Sequence, residues 1–206
     1  MTIEINKSTI VKTIIVVVVF ILAIIGYQTY QSYKKATKEE LASNLSKAGY
    51  LSAQILYEYS LSVERAKTSG FITDRNGESI IASSPENALE ERAKHYQNIG
   101  ISSYLDSLKN VMQKQMKKID SNNEEDSAFT SAYESVSKLI NYALTPSTTY
   151  FESEQVMNKY YTDFSISMDK IGVYYKLTPK DSVINSNIKF VQEKMDLYSQ
   201  KRKNKD

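Results

Sequence analysis

The chain contains no cysteine and a single histidine, His95. Without cysteine it can form no disulfide, no thiolate zinc site and no cysteine nucleophile. One histidine excludes any site that needs two imidazoles. The serine-hydrolase pattern G-x-S-x-G is missing, and no spacing singles out a pair of catalytic carboxylates. We therefore expect no catalytic residue, no metal site and no cofactor.

The central part of the chain also lacks an excess of positive charge. The formal net charge is +2, but residues 1–35 carry four lysines against one glutamate, and the basic tail 201–206 carries four cations against one aspartate. The stretch between them has 18 basic and 22 acidic residues. Nucleic-acid binding requires a basic face on the domain itself, so we expect no nucleic-acid partner. The tail is typical of a helix end, where cations interact favourably with the helix dipole.

One apolar run stands near the start of the chain. Thr13 to Tyr27 contains no charge, and extension back to Ile10 gives 18 residues interrupted only by Lys12. As a helix this run is roughly 27 Å long, close to the hydrocarbon thickness of a bilayer. The sequence therefore predicts a short tail at 1–9 and one transmembrane anchor at 10–30, with membrane lipid as its partner.

The flanks of the run predict how it lies in a membrane. Lys12 can place its ammonium among headgroups at one interface, and Tyr27 and Tyr30 suit the other. The residues after the run lack the small side chains of a signal-peptidase site, so we expect an uncleaved signal anchor. Lysines on the two sides nearly balance. Because an anchor on a short tail usually exports the rest of the chain, we expect a bacterial inner-membrane protein with a cytoplasmic N-terminus and a periplasmic C-terminal domain.

Residues 31–200 show several one-sided apolar stripes at helical spacing. Such helices must bury their stripes on one another, so the predicted fold class is mainly α, an antiparallel helical bundle in one extracytoplasmic domain. Thr37 to Glu40 has the pattern of a capping box that begins a helix. Further boundaries are predicted at Gly70, Ser84–Pro85 and Thr145–Pro146, and residues 173–177 are interpreted as a short strand or a connector.

A short β-hairpin is predicted at about 71–81. Two runs rich in β-branched residues flank a turn that is formed by Asp74, Arg75, Asn76 and Gly77. We expect no calcium loop here, because Pro85 stands where the bidentate glutamate belongs and Arg75 adds positive charge. Two hypotheses remain open: the turn is a docking or sensing element, or the hairpin is only a reversal between two helices.

The pattern D-x-x-G-x-x-I, from Asp74 to Ile80, resembles the ligand-proximal hairpin of Cache-type extracellular sensor domains. In that family the hairpin often follows a long membrane-proximal helix, as it does here. The resemblance covers about 15 residues and implies a ligand-sensing role. A Cache domain also needs a central sheet of several more strands, and downstream only residues 173–177 offer one, so the chain is not assigned to the family.

Tyrosine is unusually abundant: the chain has sixteen tyrosines and no tryptophan. Five of them form the candidate partner interface of the last third, since amphipathic rings suit protein contacts: Tyr150, Tyr160, Tyr161, Tyr174 and Tyr175. The alternative is that they line a wide core with their hydroxyls reaching water.

These features favour a protein that acts by contact. The leading hypothesis is an accessory or scaffold subunit of a cell-envelope complex of the secretion, pilus or motility type, whose partner is another protein or a second copy of the chain. One alternative is a ligand-binding input domain similar to chemoreceptor-type bundles. The other is a membrane-anchored immunity or exclusion protein.

Overall fold

Helices form nearly all of the computed structural model, which describes residues 7–69, 71–73, 79–81, 84–119, 123–147 and 154–204. Within these ranges there are six, in chain order α1 Lys7–Ser69, α2 Pro85–Asn98, α3 Ile101–Met116, α4 Glu124–Leu144, α5 Glu154–Tyr174 and α6 Lys180–Lys203. The mainly helical class that the stripes predict is confirmed. The chain divides into two units, residues 1–39 and 40–206, and α1 contributes to both.

Helix α1 is continuous through the predicted capping box, so the prediction that a helix begins at Thr37 is wrong. Thr37 donates its hydroxyl hydrogen to the carbonyl of Tyr33 at 3.0 Å, and Thr29 does the same to Ile25 at 2.8 Å. A threonine whose hydroxyl bonds back to the preceding turn fits within a helix. Because α1 already includes the residues before Thr37, the backbone N–H groups near Thr37 are bonded within the helix. Its hydroxyl therefore has no free N–H to cap.

The first unit contains the apolar run. Nine large apolar side chains between Val16 and Ile25 are each 42% to 67% exposed. This N-terminal part of α1 is long and apolar enough to cross a membrane, and its apolar window has none of its surface buried within the protein. The candidate span that the sequence predicts is therefore present as an uncovered apolar helix.

The second unit takes its helix boundaries from local chemistry. Ser84 caps α2, accepting from the backbone N–H of Asn87 at 3.2 Å, and Pro85 fills the first turn as predicted. Gly100, at φ 80°, joins α2 to α3 in the left-handed region that glycine favours. Asn123 caps α4, which ends at Thr145 as predicted.

Residues 173–177 were predicted to be either a short strand or a connector, and they do not form a strand. Val173 and Tyr174 complete α5, and the next residues are an irregular connector to α6. Gly172 lies inside α5, two residues before its last residue, Tyr174. Two three-residue strands, β1 (Phe71–Thr73) and β2 (Ser79–Ile81), pair antiparallel with Phe71 opposite Ile81. The turn between them, residues 74–78, lies outside the described residues.

One large core brings the described helices of the second unit together, with α4 packed chiefly on α5. The α1 stripe that the sequence predicts is buried there, and its fully covered members include Leu41, Leu45, Ala48, Ile55 and Tyr59. The other helices add large side chains that are also inaccessible to water: Ile101, Leu105, Met112, Phe129, Leu139, Ile140 and Phe164. Burial of these stripes on one another is the main force that holds the bundle.

Candidate functional site

The residues predicted to lie at the membrane interface, Lys12, Tyr27 and Tyr30, all belong to α1. Tyr27 and Tyr30 are exposed and come directly after the apolar run. The side chain of Lys12 lies outside the described residues, and so do Asp74, Arg75, Asn76 and Gly77 of the candidate docking turn. Their roles stay predictions.

The candidate partner-interface tyrosines occupy two ends of α5. Tyr160 and Tyr161 lie near its start, Tyr174 and Tyr175 at its end, roughly 20 Å away along the helix. The Tyr175 ring packs on Phe129 with 5.9 Å between centroids, and its hydroxyl donates to Glu125 at 2.6 Å. Tyr150 lies outside the described residues. The four described tyrosines therefore do not form one patch.

Tyr174 belongs instead to an exposed apolar surface on α5. Val173 is 83% exposed, and Ile166 and Tyr174 are exposed as well. Ile166 and Val173 are seven residues apart, so they lie on the same side of the helix about two turns from each other. We call these three residues the α5 outer surface.

Tyr161 leads to a different feature, a cavity of about 430 Å³ between four helices. Its described lining comes mostly from α1, with one residue of α4, two of α5 and one of α6: Tyr50, Ala53, Gln54, Leu56, Tyr57, Ser60, Leu139, Asn158, Tyr161 and Ile184. None of these ten side chains is charged. Tyr57 and Asn158 are exposed, so the cavity reaches the protein surface.

A lysine stands beside two of the lining rings. Lys180 Nζ lies 5.8 Å from the centroid of Tyr50 and 5.5 Å from that of Tyr161, within reach of a cation–π contact. A hydrogen bond with Tyr161 raises the pKa of Lys180, and burial raises the pKa of Tyr50. At neutral pH the rim therefore carries a cationic lysine and a neutral phenol.

Gln54 supplies the buried polar group of the cavity wall. Its Oε1 atom is inaccessible to solvent and has no hydrogen-bond partner among the described residues. Leaving a buried acceptor unsatisfied costs about 1–3 kcal/mol. Because this oxygen has no solvent-accessible surface, a molecule in the cavity could not reach it unless the Gln54 side chain moved.

Other buried tyrosines do have partners within the bundle. Tyr59 donates to the carbonyl of Ala143 at 3.0 Å, and Tyr96 donates to the carboxylate of Glu58. The two rings meet edge to face, 5.8 Å between centroids. These contacts connect α1 to α2 and α4 and therefore stabilise the fold. The candidate site is accordingly the set of residues that line the cavity.

The cavity residues of α1 were missed by sequence reasoning, although a pattern for them exists. Tyr50, Gln54 and Tyr57 are spaced i, i+4 and i+7, which places a carboxamide between two phenols on one helix face. That spacing alone is compatible with an ordinary solvated face. In the part of the chain that the structure describes, no group of three or more His, Asp or Glu side chains is arranged to hold a metal ion.

No protein-family model, no curated protein and no solved structure matches this chain.

Proposed function

We propose that this chain is a single-pass protein of the bacterial inner membrane, with a cytoplasmic N-terminus and a periplasmic helical bundle that acts by contact with another protein. It would serve as an accessory or scaffold subunit of a cell-envelope complex. The observation that carries the proposal is the uncovered apolar helix between Val16 and Ile25.

The exposure of that helix supports the membrane part of the proposal. Full burial of one Val, Leu, Ile or Phe side chain is favourable by about 1.5–3 kcal/mol. Nine such side chains face solvent between Val16 and Ile25. Transfer of the run into a bilayer would remove that apolar surface from water while the helix keeps its backbone hydrogen bonds.

The α5 outer surface supports the contact part. Aliphatic side chains as exposed as Val173 and Ile166 gain free energy when a partner covers them, and an adjacent tyrosine is typical of interface cores. The surface includes Tyr174, which belongs to the interface that the sequence predicts. We propose it as the site where the partner protein binds.

Membrane anchoring is tested with Val18→Arg combined with Leu22→Arg. One arginine at the centre of a span costs about 2.5–3.5 kcal/mol, so the double variant should leave the membrane fraction. Val18→Leu with Leu22→Val is the matched control and should stay. Protease added to spheroplasts should digest the wild-type bundle. A soluble wild-type chain, or a protected bundle, would contradict the proposal.

Partner contact is tested by crosslinking the full-length protein in cells, with mass spectrometry of the products. Ile166→Ser combined with Val173→Ser should abolish the crosslinked species. Leu197→Ser changes an exposed leucine of α6 and should leave the species unchanged. Equal crosslinking of both variants and the wild type would move the interface away from α5.

A second function, a ligand-binding input domain, is favoured by the cavity lined by Tyr50, Gln54 and Tyr161. It would use the same anchor and would pass its signal through a partner. The hairpin turn at 74–77 remains a candidate docking element for either function. Replacement of these four residues by another four-residue turn should abolish partner crosslinking if they dock and leave it intact if they only reverse the chain.

A further inference from the structure

We infer that the α5 outer surface binds a second copy of this chain, with the two α5 helices side by side in the same direction and a two-fold axis running between them. This identifies the partner in the contact part of the proposed function, on which the inference rests. The residues that carry it are Ile166 and Val173, which are apolar and exposed, and the oppositely charged Asp169 and Lys170 between them.

The α5 outer surface holds the most exposed large apolar side chain of the described residues. Val173 is 83% exposed, whereas those of the apolar run on α1 reach at most 67%. Ile166 lies seven residues earlier, only about 20° away around the helix axis. The other exposed large apolar residues of the second unit are spread over α1, α3 and α6: Tyr57, Val111, Ile188 and Leu197. Covering the pair on α5 would remove a continuous apolar strip from water.

Two opposite charges flank this strip. Asp169 and Lys170 are both exposed and lie between Ile166 and Val173 in the sequence. At about 100° per residue, Asp169 stands about 50° to one side of the line joining the two aliphatic residues, and Lys170 about 50° to the other side. Within the described ranges the ion pairs lie on α1, α2 and α6, so neither charge is paired with another described residue.

The placement of these charges fits a parallel pair of α5 helices. A two-fold axis along the helices exchanges the two sides of the strip but keeps the height of each residue. Asp169 of each copy therefore comes beside Lys170 of the other, while Ile166 meets Ile166 and Val173 meets Val173. A symmetric dimer needs a surface that complements itself, and this arrangement provides it. Opposite charges beside an apolar seam also set partner choice and direction in coiled coils.

An antiparallel pair is disfavoured by the same charges. In the antiparallel register that pairs Ile166 with Val173, the two-fold axis crosses the helices, so it reverses height but keeps each residue on its own side. Asp169 would then meet Asp169 of the second copy, and Lys170 would meet Lys170. Because like charges in contact repel, the charges select the parallel direction.

The contact is short, so we expect a weak dimer. Lys159 is exposed and lies seven residues before Ile166 on the same side, and in a parallel pair it would meet its own copy, which limits the contact at that end. A contact over about two helical turns is smaller than the roughly 1,200 Å² at which stable protein interfaces begin. Confinement of both copies to one membrane would raise their effective concentration.

The first test measures association of the full-length chain in liposomes of phosphatidylethanolamine and phosphatidylglycerol. Asn204→Cys supplies a single thiol for donor and acceptor dyes, and energy transfer is recorded at falling protein-to-lipid ratios. Asp169→Lys and Lys170→Asp should each weaken association about tenfold, because two attractions become two repulsions. The combined exchange should restore it. Energy transfer no greater than random mixing gives, or a combined variant as weak as the single ones, would overturn the inference.

Single cysteines test the direction of pairing in the same liposomes. The chain has no other cysteine, so Ile166→Cys and Val173→Cys each place one thiol per copy. A disulfide requires Cα atoms within about 7 Å. In a parallel pair each cysteine meets its own copy, and both variants should form linked dimers on oxidation. In the antiparallel pair the two copies of either position would stand about 10.5 Å apart along the helix.

Leu197→Cys, exposed on α6, is the control and should stay monomeric. Melting of the reduced proteins checks that every variant is folded. Linked dimers in all three single variants alike would contradict the placement on α5. Dimers that form only when Ile166→Cys and Val173→Cys are combined would show antiparallel pairing and would also overturn the inference.

The dimer and the proposed function can fail separately. If Ile166→Ser with Val173→Ser abolishes the crosslinked species in cells but the liposomes show no association, this surface binds a different protein. The second copy is then rejected and the proposed contact stands. If the single cysteines link while the wild-type chain proves soluble in cells, the dimer stands and the membrane part of the proposed function is rejected.

Discussion

Gly49 of α1 lies directly against the ring of Phe164 of α5. A Cβ atom added at Gly49 would stand within 3.0 Å of three carbons of that ring. Phe164 is fully buried and meets Tyr50 edge to face at 5.1 Å between centroids, so the ring is held on another side as well. Gly49 lowers the helix propensity of α1, but because it has no side chain it allows α1 and α5 to pack this closely.

Gly49→Ala should destabilise the bundle. Alanine gains about 1 kcal/mol of helix propensity, but overpacking a filled core typically costs about 1–3 kcal/mol, and the held ring gives the upper part of that range. We expect a net loss of about 1–2 kcal/mol in the free energy of unfolding, measured with urea. Gly49→Val should lose more.

Gly172→Ala is the matched control on α5. Its Cβ would meet only Leu177 at 3.9 Å, an ordinary van der Waals distance, so the propensity gain should remain and stability should be unchanged or higher. Equal effects at Gly49 and Gly172 would show that the close approach of Gly49 to Phe164 does not limit the packing.

Tyr59 predicts how stability depends on alkaline pH. Burial raises the pKa of Tyr59 above its ordinary value of 10.0, and the charge of Arg92 opposes only part of that rise. Because the unfolded chain releases this proton first, the contribution is complete below pH 10 and is lost as the pH rises further. The loss from this residue should reach up to about 1.4 kcal/mol per pH unit.

Tyr59→Phe checks this relationship. The variant should be less stable at neutral pH, since it loses the hydrogen bond to Ala143, yet its stability should fall less steeply above pH 10. Urea unfolding at several pH values measures both quantities. If the free energy of unfolding fell equally steeply with pH in the variant and the wild type, Tyr59 would ionise as readily in the folded as in the unfolded chain.

Asn123 predicts a capping effect at α4. Its side chain accepts from the backbone N–H of Asp126 at 2.8 Å, which satisfies one of the free donors of the first turn. Asn123→Ala should lower the free energy of unfolding by about 1 kcal/mol, and Asn123→Ser should restore most of it. Thermal melting of the three proteins is sufficient. Failure of serine to restore stability would assign the loss to another contact.

Asn187 predicts the strength of one contact between α6 and α1. It is buried, and its Nδ2 donates to the carbonyl of Lys47 at 3.3 Å. Asn187→Ala should cost about 0.5–1.5 kcal/mol from the hydrogen bond, with further loss from packing. Asn110→Ala, at an exposed position of α3, is the control and should change stability by less than about 0.5 kcal/mol. Equal losses of stability in the two variants would show that the contact between Asn187 and Lys47 adds no more than an exposed side chain does.

The helical fold was predictable because its determinants are local. The stripe of Leu41, Leu45 and Ala48 repeats at helical spacing, and all three are buried. Ser84–Pro85 begins a helix by chemistry within four residues. The error at Thr37 has the same origin, since a capping box and a mid-helix threonine that bonds to Tyr33 share one local pattern.

The candidate site was not predictable, because it depends on which side chains meet across helices. Gln54 is an unremarkable polar residue in the sequence, and its importance comes from its place in a wall shared with Leu139 and Ile184. Likewise, Tyr175 was a candidate surface residue, but its ring packs on Phe129, 46 positions earlier in the chain. Such pairings require the tertiary arrangement.

The pairing of Asn187 with Lys47 has a consequence for how the protein is made. The two residues are separated by 140 positions, so the ribosome completes the α1 stripe long before α6 exists to cover it. At about 5–20 residues per second the delay is roughly 7–28 s. During that interval α2 to α5 can already pack on α1, but the part of its apolar face that α6 covers stays exposed. A holding chaperone that recognises such surfaces should crosslink to truncated chains ending before Lys180 and release the full-length chain.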